Sequence, residues 1–239
     1  MTWLDGLLVG FDLETTGIDP EQARIVTAAV CRFGGGQPPR VRTWVADPGA
    51  EIPPQATAIH GYSTESARTT GRRPAEVVAE VVEQLVATRV AGWPLVVMNA
   101  PYDLTLLEAE AARHGVPGLH AVRPPRVLDK HVDCYRLGRR RLEDLCRRYG
   151  VAHGGAHEAG ADAVAACAVT TAIGSAHSEL AALELDELHE RQVRWAVGQQ
   201  EGLRERFAKT PGKTHRAAGV RTEWPLIPPM RPSLDGLAR

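Results

Sequence analysis

Three short stretches of the sequence place acids and a histidine where such groups could do chemistry together. Asp12 and Glu14 end an apolar run, Leu7 to Leu13, and are followed by Thr15-Thr16-Gly17. Alternate residues of a strand share a face, so these two carboxylates converge at a strand end. Paired acids repel each other unless a cation lies between them, which points to a divalent metal. Asp103 falls in the first turn of a helix opened by Pro101, within Asn99-Ala100-Pro101-Tyr102-Asp103-Leu104. His157 and Asp162 stand where a Gly-rich loop enters an Ala-rich helix, in His157-Glu158-Ala159-Gly160-Ala161-Asp162. Small residues let such a helix approach a sheet closely, and a histidine beside the acid can serve as a general base near neutral pH. Taken singly, each stretch has a plainer reading. D-x-E recurs by chance, an acid suits any helix N-terminus through the helix dipole, and a loop histidine can simply be solvated.

The elements that must position these residues follow from hydrophobic period and turn signals. Strands are expected at Leu7–Leu13, Arg24–Phe33 and Val41–Val45, the last two joined by Gly34-Gly35-Gly36, so that the three pair antiparallel. Residues 47–73 carry Pro48, Pro53 and Pro54 and show no clear period, which predicts a long loop. Val77, Val78, Val81, Val82, Leu85 and Val86 recur at helical spacing after Pro74. A short buried strand is expected at Leu95–Met98, then a helix from Pro101 stopping at Gly115. A strand at Val127–Tyr135 and helices at Leu142–Tyr149 and Glu158–Ile173 complete an α/β domain with a mixed sheet. From about Glu179 the pattern becomes a long charged amphipathic helix, and beyond Lys209 the chain is rich in Gly, Pro and Arg. The expected division is residues 1–177 as the main domain and 178–239 as a helical appendage with an extended tail.

Composition narrows the function classes. The chain has 239 residues, 44% hydrophobic and 24% charged, the profile of an ordinary globular protein. A formal net charge of -1 and 5% aromatic residues argue against a protein that coats long nucleic acid, but leave room for one that grips a few nucleotides at an end. Cys31, Cys134, Cys146 and Cys167 form no C-x-x-C pair, so a structural zinc site or disulfide framework is not expected; a reduced, cytoplasmic setting is. The N-terminal MTWLDGLLVGFDLE reads as a strand rather than a signal peptide. With no unbroken run of about 18 apolar residues, no membrane span is expected.

The order of these stretches resembles the DEDD exonuclease superfamily, in its DEDDh-type branch whose third motif carries histidine. That branch includes polymerase proofreading subunits, ribonuclease T and oligoribonucleases. The resemblance runs from about Leu7 to Ile173, through DLETTG at Asp12–Gly17, Ile59-His60-Gly61, NAPYDLTLL at Asn99–Leu107, LEDLCRRYGV at Leu142–Val151 and HEAGADA at His157–Ala163. It implies a ribonuclease H-like fold: a five-stranded mixed sheet flanked by helices, here with a C-terminal helical extension. It also implies two divalent cations, Mg²⁺ or Mn²⁺, held by Asp12, Glu14, Asp103 and Asp162, with His157 as general base. Such ions sit about 3.5–4 Å apart and clamp the attacking and leaving oxygens of an in-line displacement. By the same resemblance, Leu13, Thr15, Thr16, Ile59 and His60 would contact the terminal nucleotide.

The activity so implied is 3′→5′ hydrolysis of single-stranded DNA or RNA, releasing nucleoside 5′-monophosphates, with DNA ahead of RNA. Proofreading is one role among several, because Gln199, Gln200 and Leu203 make no convincing sliding-clamp motif. Trimming of short oligoribonucleotides is the nearest alternative, and a non-catalytic binding module on the same fold is an alternative of another class. His153 also lies near the third motif, although its spacing to Asp162 favours His157 as the base. Arg139, Arg140, Arg141, Arg147 and Arg148 could meet phosphates or form a solvated helix face, while Asp129 and Asp133 are not expected to be catalytic. Val193, Trp195, Val197 and Leu203 could offer a partner protein an apolar stripe on the C-terminal helix, or pack it back onto the domain.

Overall fold

Alternating apolar residues and tight turns fold the N-terminal region into a meander. β1 (Leu7–Thr15) pairs antiparallel with β2 (Ile25–Gly34), and β2 with β3 (Gln37–Val45). β4 (Leu95–Val96) and β5 (Val127–Leu128) then add in parallel on the other side of β1, giving a five-stranded mixed sheet in the order β3-β2-β1-β4-β5. The computed structural model describes residues 2–119, 127–128, 140–155 and 157–228. The rest of the strand expected to Tyr135, with Asp129, Asp133 and Cys134, lies outside the described residues, as do Arg139 and residues 229–239.

Helices cover both faces of the sheet. α3 (Pro74–Val90) and α4 (Ala100–His114) pack Val77, Val81, Leu85, Leu104 and Leu107 against Val9, Phe11 and Leu13. On the opposite face α5 (Leu142–Tyr149) and α6 (Ala159–Ala176) pack Leu145, Ala163, Ala166 and Cys167 against Leu8, Ala29 and Cys31. α6 is apolar and long enough to cross a membrane by length and composition, with mean hydropathy 1.3 over 18 residues. The expectation of no such segment came from looking for an unbroken apolar run, which Asp162 and Thr170 interrupt. Its contacts with β1 and β2 make it a core helix here. Cys31, Cys146 and Cys167 are free buried thiols.

Two expectations need correction. Residues 47–73 are not one long loop but hold α1 (Pro54–His60) and α2 (Thr64–Thr70). Each has seven residues, too few for a hydrophobic period to declare itself. Pro54 starts α1 with its fixed φ and Gly61 ends it at φ +81°, while the Ser63 hydroxyl caps α2 by accepting from the Ser66 N–H at 3.1 Å. The long helix expected from Glu179 is two pieces, α7 (Ser178–Ala181) and α8 (Leu185–Lys209). The break lets Leu180 and Leu188 reach the same core cluster, with Leu183 and Leu185 packed against it.

α8 buries Leu188, Gln192 and Ala196 along one face, and Val193 and Trp195 of the expected stripe are also packed against the core. No residue of α8 beyond Ala196 is buried. The chain then folds back and seats Trp224 in the core beside His189, their rings 5.1 Å apart. The Ile227 N–H bonds to Thr105 Oγ1 on α4 at 2.9 Å, so the C-terminal segment lies against the main domain.

Candidate active site

Strand alternation settles which way the acids face. Val9, Phe11 and Leu13 enter the core under α3 and α4, so Gly10, Asp12 and Glu14 face α6. Gly10 permits the close approach of that helix. A Cβ at this position would stand 2.4 Å from the Ala163 carbonyl oxygen, and 2.7 and 2.9 Å from the sulfurs of Cys31 and Cys167. With α6 so close, the buried Asp162 in its first turn meets Asp12. The buried Asp103 arrives from the first turn of α4, just after β4, the parallel neighbour of β1. The acids thus gather at the carboxyl ends of adjacent parallel strands, where open α/β sheets hold ligands.

Their electrostatics are those of a crowded anionic cluster. Desolvation, then the charges of Asp103, Asp162 and Glu14, hold the Asp12 carboxyl well above the ordinary carboxylate range. Burial and Asp162 push Glu14 up to about 7. Burial also raises Asp162, opposed by its hydrogen bond to His153. Ligand atoms of Glu14, His157 and Asp162 lie within 4.8 Å of one another. Carboxylate and imidazole donors without thiolate suit a hard divalent cation. A cation would relieve the repulsion that raises Asp12 and Glu14, so the residues fit a divalent metal ion.

This repulsion makes a pH-dependent prediction. An acid whose pKa rises on folding binds more protons folded than unfolded, so its contribution to stability falls as pH climbs from the unfolded to the folded value. For Glu14 that window runs from 4.5 to about 7. Mg²⁺ or Mn²⁺ should therefore raise the melting temperature more at about pH 8 than at about pH 5. Thermal melts with and without metal at both pH values test this, and equal shifts would count against binding at these carboxylates.

His157 is held by its backbone more than by its ring. Its φ of +64° is left-handed, uncommon for a non-glycine residue, and its N–H donates to Asp162 Oδ2 at 3.2 Å. The ring is exposed, with Nε2 3.7 Å from Glu143 Oε1. His153, the competing histidine, instead places Nε2 2.5 Å from Asp162 Oδ1. The third motif therefore brings two histidines to one carboxylate, through ring and backbone respectively.

Two adjoining cavities open on the cluster. One of about 540 Å³ is lined by Asn99, Arg140, Arg141, His153, His157 and Asp162. The other, of about 530 Å³, is lined by the expected Leu13, Glu14, Thr15, Thr16, Ile59 and His60, together with Tyr102. Asn99 and Ile59 belong to both walls. Leu13 is mostly withdrawn into the core at 6% exposure, and the exposed apolar side chains at the rim are Ile59 and Ile18. His60 ends α1 instead of riding on a loop; it is buried, accepts from the Tyr62 N–H through Nδ1 at 3.2 Å, and leaves Nε2 without a partner. Arg147 and Arg148 stay on the exposed face of α5, one paired with Asp144 and the other over the Tyr149 ring.

The sequence reading missed Tyr102. Its hydroxyl meets Thr15 Oγ1 at 2.6 Å and donates to the Gly17 carbonyl, pinning the turn after β1. A register shift between Glu14 and Thr15 re-aims the strand just there. Burial raises the phenol to about 12, so it remains a neutral donor. Its place in NAPYDL beside Asp103 was the available signal.

Comparison with known proteins bears on the fold and the family. No curated protein matches the sequence. Among solved structures, E. coli exonuclease I in complex with a dT13 oligonucleotide is 22% identical with a TM-score of 0.61, covering 73% of this chain and 42% of that one. A zinc-bound form of the E. coli exonuclease I–ssDNA complex is 21% identical with a TM-score of 0.62, at the same coverage. A moderately thermophilic exonuclease I from Methylocaldum szegediense is 21% identical with a TM-score of 0.60, covering 84% and 45%. At these identities the likeness is one of fold, and the chain spans less than half the length of the structures it matches. The family model described as exonuclease, of the RNase T type, matches residues 9–170. Since that stretch runs from β1 through most of α6 and takes in every acid of the cluster, the chain belongs to the RNase T exonuclease family.

Proposed function

We propose that the protein is a metal-dependent 3′→5′ exonuclease that removes nucleoside 5′-monophosphates from single-stranded nucleic acid, DNA in preference to RNA. The observation that carries this reading is the convergence of Asp12, Glu14, Asp103 and Asp162 with His157 beside a nucleotide-sized cavity. The oligonucleotides bound by E. coli exonuclease I, on the same fold, support a single-stranded DNA substrate.

Asp12, Glu14 and Asp162 would hold one divalent ion, and Asp12 with Asp103 the other. When bound, the pair supplies charge neutralisation at the phosphate and a water of lowered pKa. The cavity walls seat the terminal nucleotide, with Ile59 and Ile18 at its rim and the Thr15–Tyr102 contact fixing its floor. His157 takes a proton from the attacking water as oxygen bonds to phosphorus. The bond from phosphorus to the 3′ oxygen of the penultimate nucleotide breaks, and that oxygen leaves as an alkoxide that takes a proton from solvent water to become the new 3′ hydroxyl. Arg141, exposed at the wall of the cavity that holds His157, is placed to meet a non-bridging phosphate oxygen.

End-labelled single-stranded DNA and RNA, digested with Mn²⁺ or Mg²⁺ and with an EDTA control, test the proposal. Stepwise loss from the 3′ end, abolished by EDTA and faster on DNA, is expected. Absence of cleavage on every substrate would overturn it. His157→Gln should lower kcat by about 10²–10⁴-fold, the usual range for a general base, and His153→Gln by less than about tenfold. The reverse ranking in single-turnover assays would assign the proton transfer to His153.

A further inference from the structure

Beyond the terminal-nucleotide cavity lies a third cleft, of about 580 Å³, walled on one side by the catalytic domain and on the other by the C-terminal segment. Ile18, Asn99 and Tyr102 line both this cleft and the terminal-nucleotide cavity, so the two adjoin. Its far wall is Gln200, Leu203 and Phe207 of α8 with Arg216 and Arg221 from the returning chain. All of these wall residues lie beyond residues 9–170, outside the stretch matched by the family model.

We propose that this cleft binds the sugar-phosphate backbone of the single strand next to its terminal nucleotide, making the C-terminal segment part of the substrate track. This rests on the exonuclease reading above. Charge is the first argument. Glu223, the acid of the cleft wall, is neutralised by Arg221 through bonds of 2.8–3.1 Å. The Arg216 guanidinium lies over the Phe207 ring, 5.0 Å from its centroid, exposed and with no carboxylate partner among the described residues. A planar guanidinium held flat on a ring presents its remaining N–H groups ready for a phosphate.

Architecture is the second argument. The part of α8 after Ala196 has no fully buried residue and is held by the returning chain, with Arg204 Nη2 donating to the Val220 carbonyl at 2.9 Å. That half-helix is therefore braced in place facing the site, without itself serving the core. Ile18, 96% exposed at the junction of the two cavities, offers an apolar edge between successive bases.

The test compares two substrates on wild type, Arg216→Gln, Phe207→Ala and Arg206→Gln. Arg206 is exposed on α8 outside the cleft and controls for a simple change of charge. The p-nitrophenyl ester of thymidine 5′-monophosphate reaches the terminal-nucleotide cavity alone, whereas a single strand of about ten nucleotides also fills a neighbouring track. Arg216→Gln and Phe207→Ala should lower kcat/KM for the oligonucleotide about five- to tenfold relative to the ester, mainly through KM. Arg216→Gln should also reduce the slope of log KM against log salt by roughly 0.7, the share of one phosphate on a single strand. An unchanged oligonucleotide-to-ester ratio, or an equal loss from Arg206→Gln, would overturn the track. Failure of wild type on both substrates would instead overturn the exonuclease reading itself. Thermal melts of each variant separate a lost contact from a lost fold.

Discussion

Exchanging Asp12 for asparagine should cut hydrolysis by several orders of magnitude and, in the same protein, raise the melting temperature measured without metal. The two effects share a cause. Asp12 is the carboxylate nearest the other three in charge terms, repelled by Asp103, Asp162 and Glu14 and desolvated besides. An amide of almost the same shape removes that repulsion, so the metal-free fold gains stability, most visibly near neutral pH where Glu14 sheds its proton. A charge-neutralising centre contributes several kcal/mol to the transition state, so its loss lowers kcat by about 10³- to 10⁴-fold. Metal should also stabilise Asp12→Asn less than wild type. Paired activity assays and melts with and without Mn²⁺ check all three results. A variant that is inactive and also less stable without metal would mean that Asp12 holds the fold through contacts, and would remove the repulsive cluster as the basis of the site.

Gly10→Ala carries the second large effect, at a position with no chemistry of its own. The added Cβ would press on the Ala163 carbonyl at 2.4 Å, and backbone cannot turn aside as a side chain can. Overpacking of this kind costs about 1–3 kcal/mol, or roughly 2–12 °C in melting temperature for a chain of this size. Activity should fall further than stability, because the same shift lifts Asp162 away from Asp12. A displacement near 1 Å in a catalytic group costs about 10²-fold. Gly198→Ala is the matched control: it lies within α8 with open space around its Cβ, and should be neutral or stabilising by up to about 1 kcal/mol. Assays well below the melting transition distinguish the outcomes. Full activity in Gly10→Ala would show that α6 has room to move and that its distance from β1 does not set the metal geometry.

What the sequence disclosed and what it withheld divide along physical lines. Asp12 and Glu14 were legible because a strand's period of two fixes which residues share a face, and α3 because its valines repeat at helical spacing over 17 residues. Asp103 and Asp162 were legible because Pro101 and the loop before Ala159 mark helix starts, which place the acid of the first turn. α1 and α2 were not, since helices of seven residues are specified by caps and tertiary contacts more than by period. Tyr102 was hidden for another reason: Thr15 and Gly17, which it grips, are 87 and 85 residues away in sequence. His153 was legible only as a competitor of His157, and its ring contact with Asp162 was not, because sequence spacing says nothing of the direction in which a Gly-rich loop turns its side chains. The inward packing of the C-terminal segment was equally silent, because Trp224 sits among Pro and Arg residues that read as a tail.

The seating of Trp224 and Ile227 also has a consequence in time. During synthesis the catalytic acids and the whole sheet emerge well before residues 220–227, yet the core around α4 closes when Trp224 enters it and Ile227 bonds to Thr105, 122 residues upstream. Contacts of that sequence separation form late and slowly. A nascent chain that has made every residue of the candidate site therefore still carries an unsealed flank beside α4. Full activity and full resistance to proteolysis should appear together, after residues 220–227 have docked and not when the candidate site residues first exist.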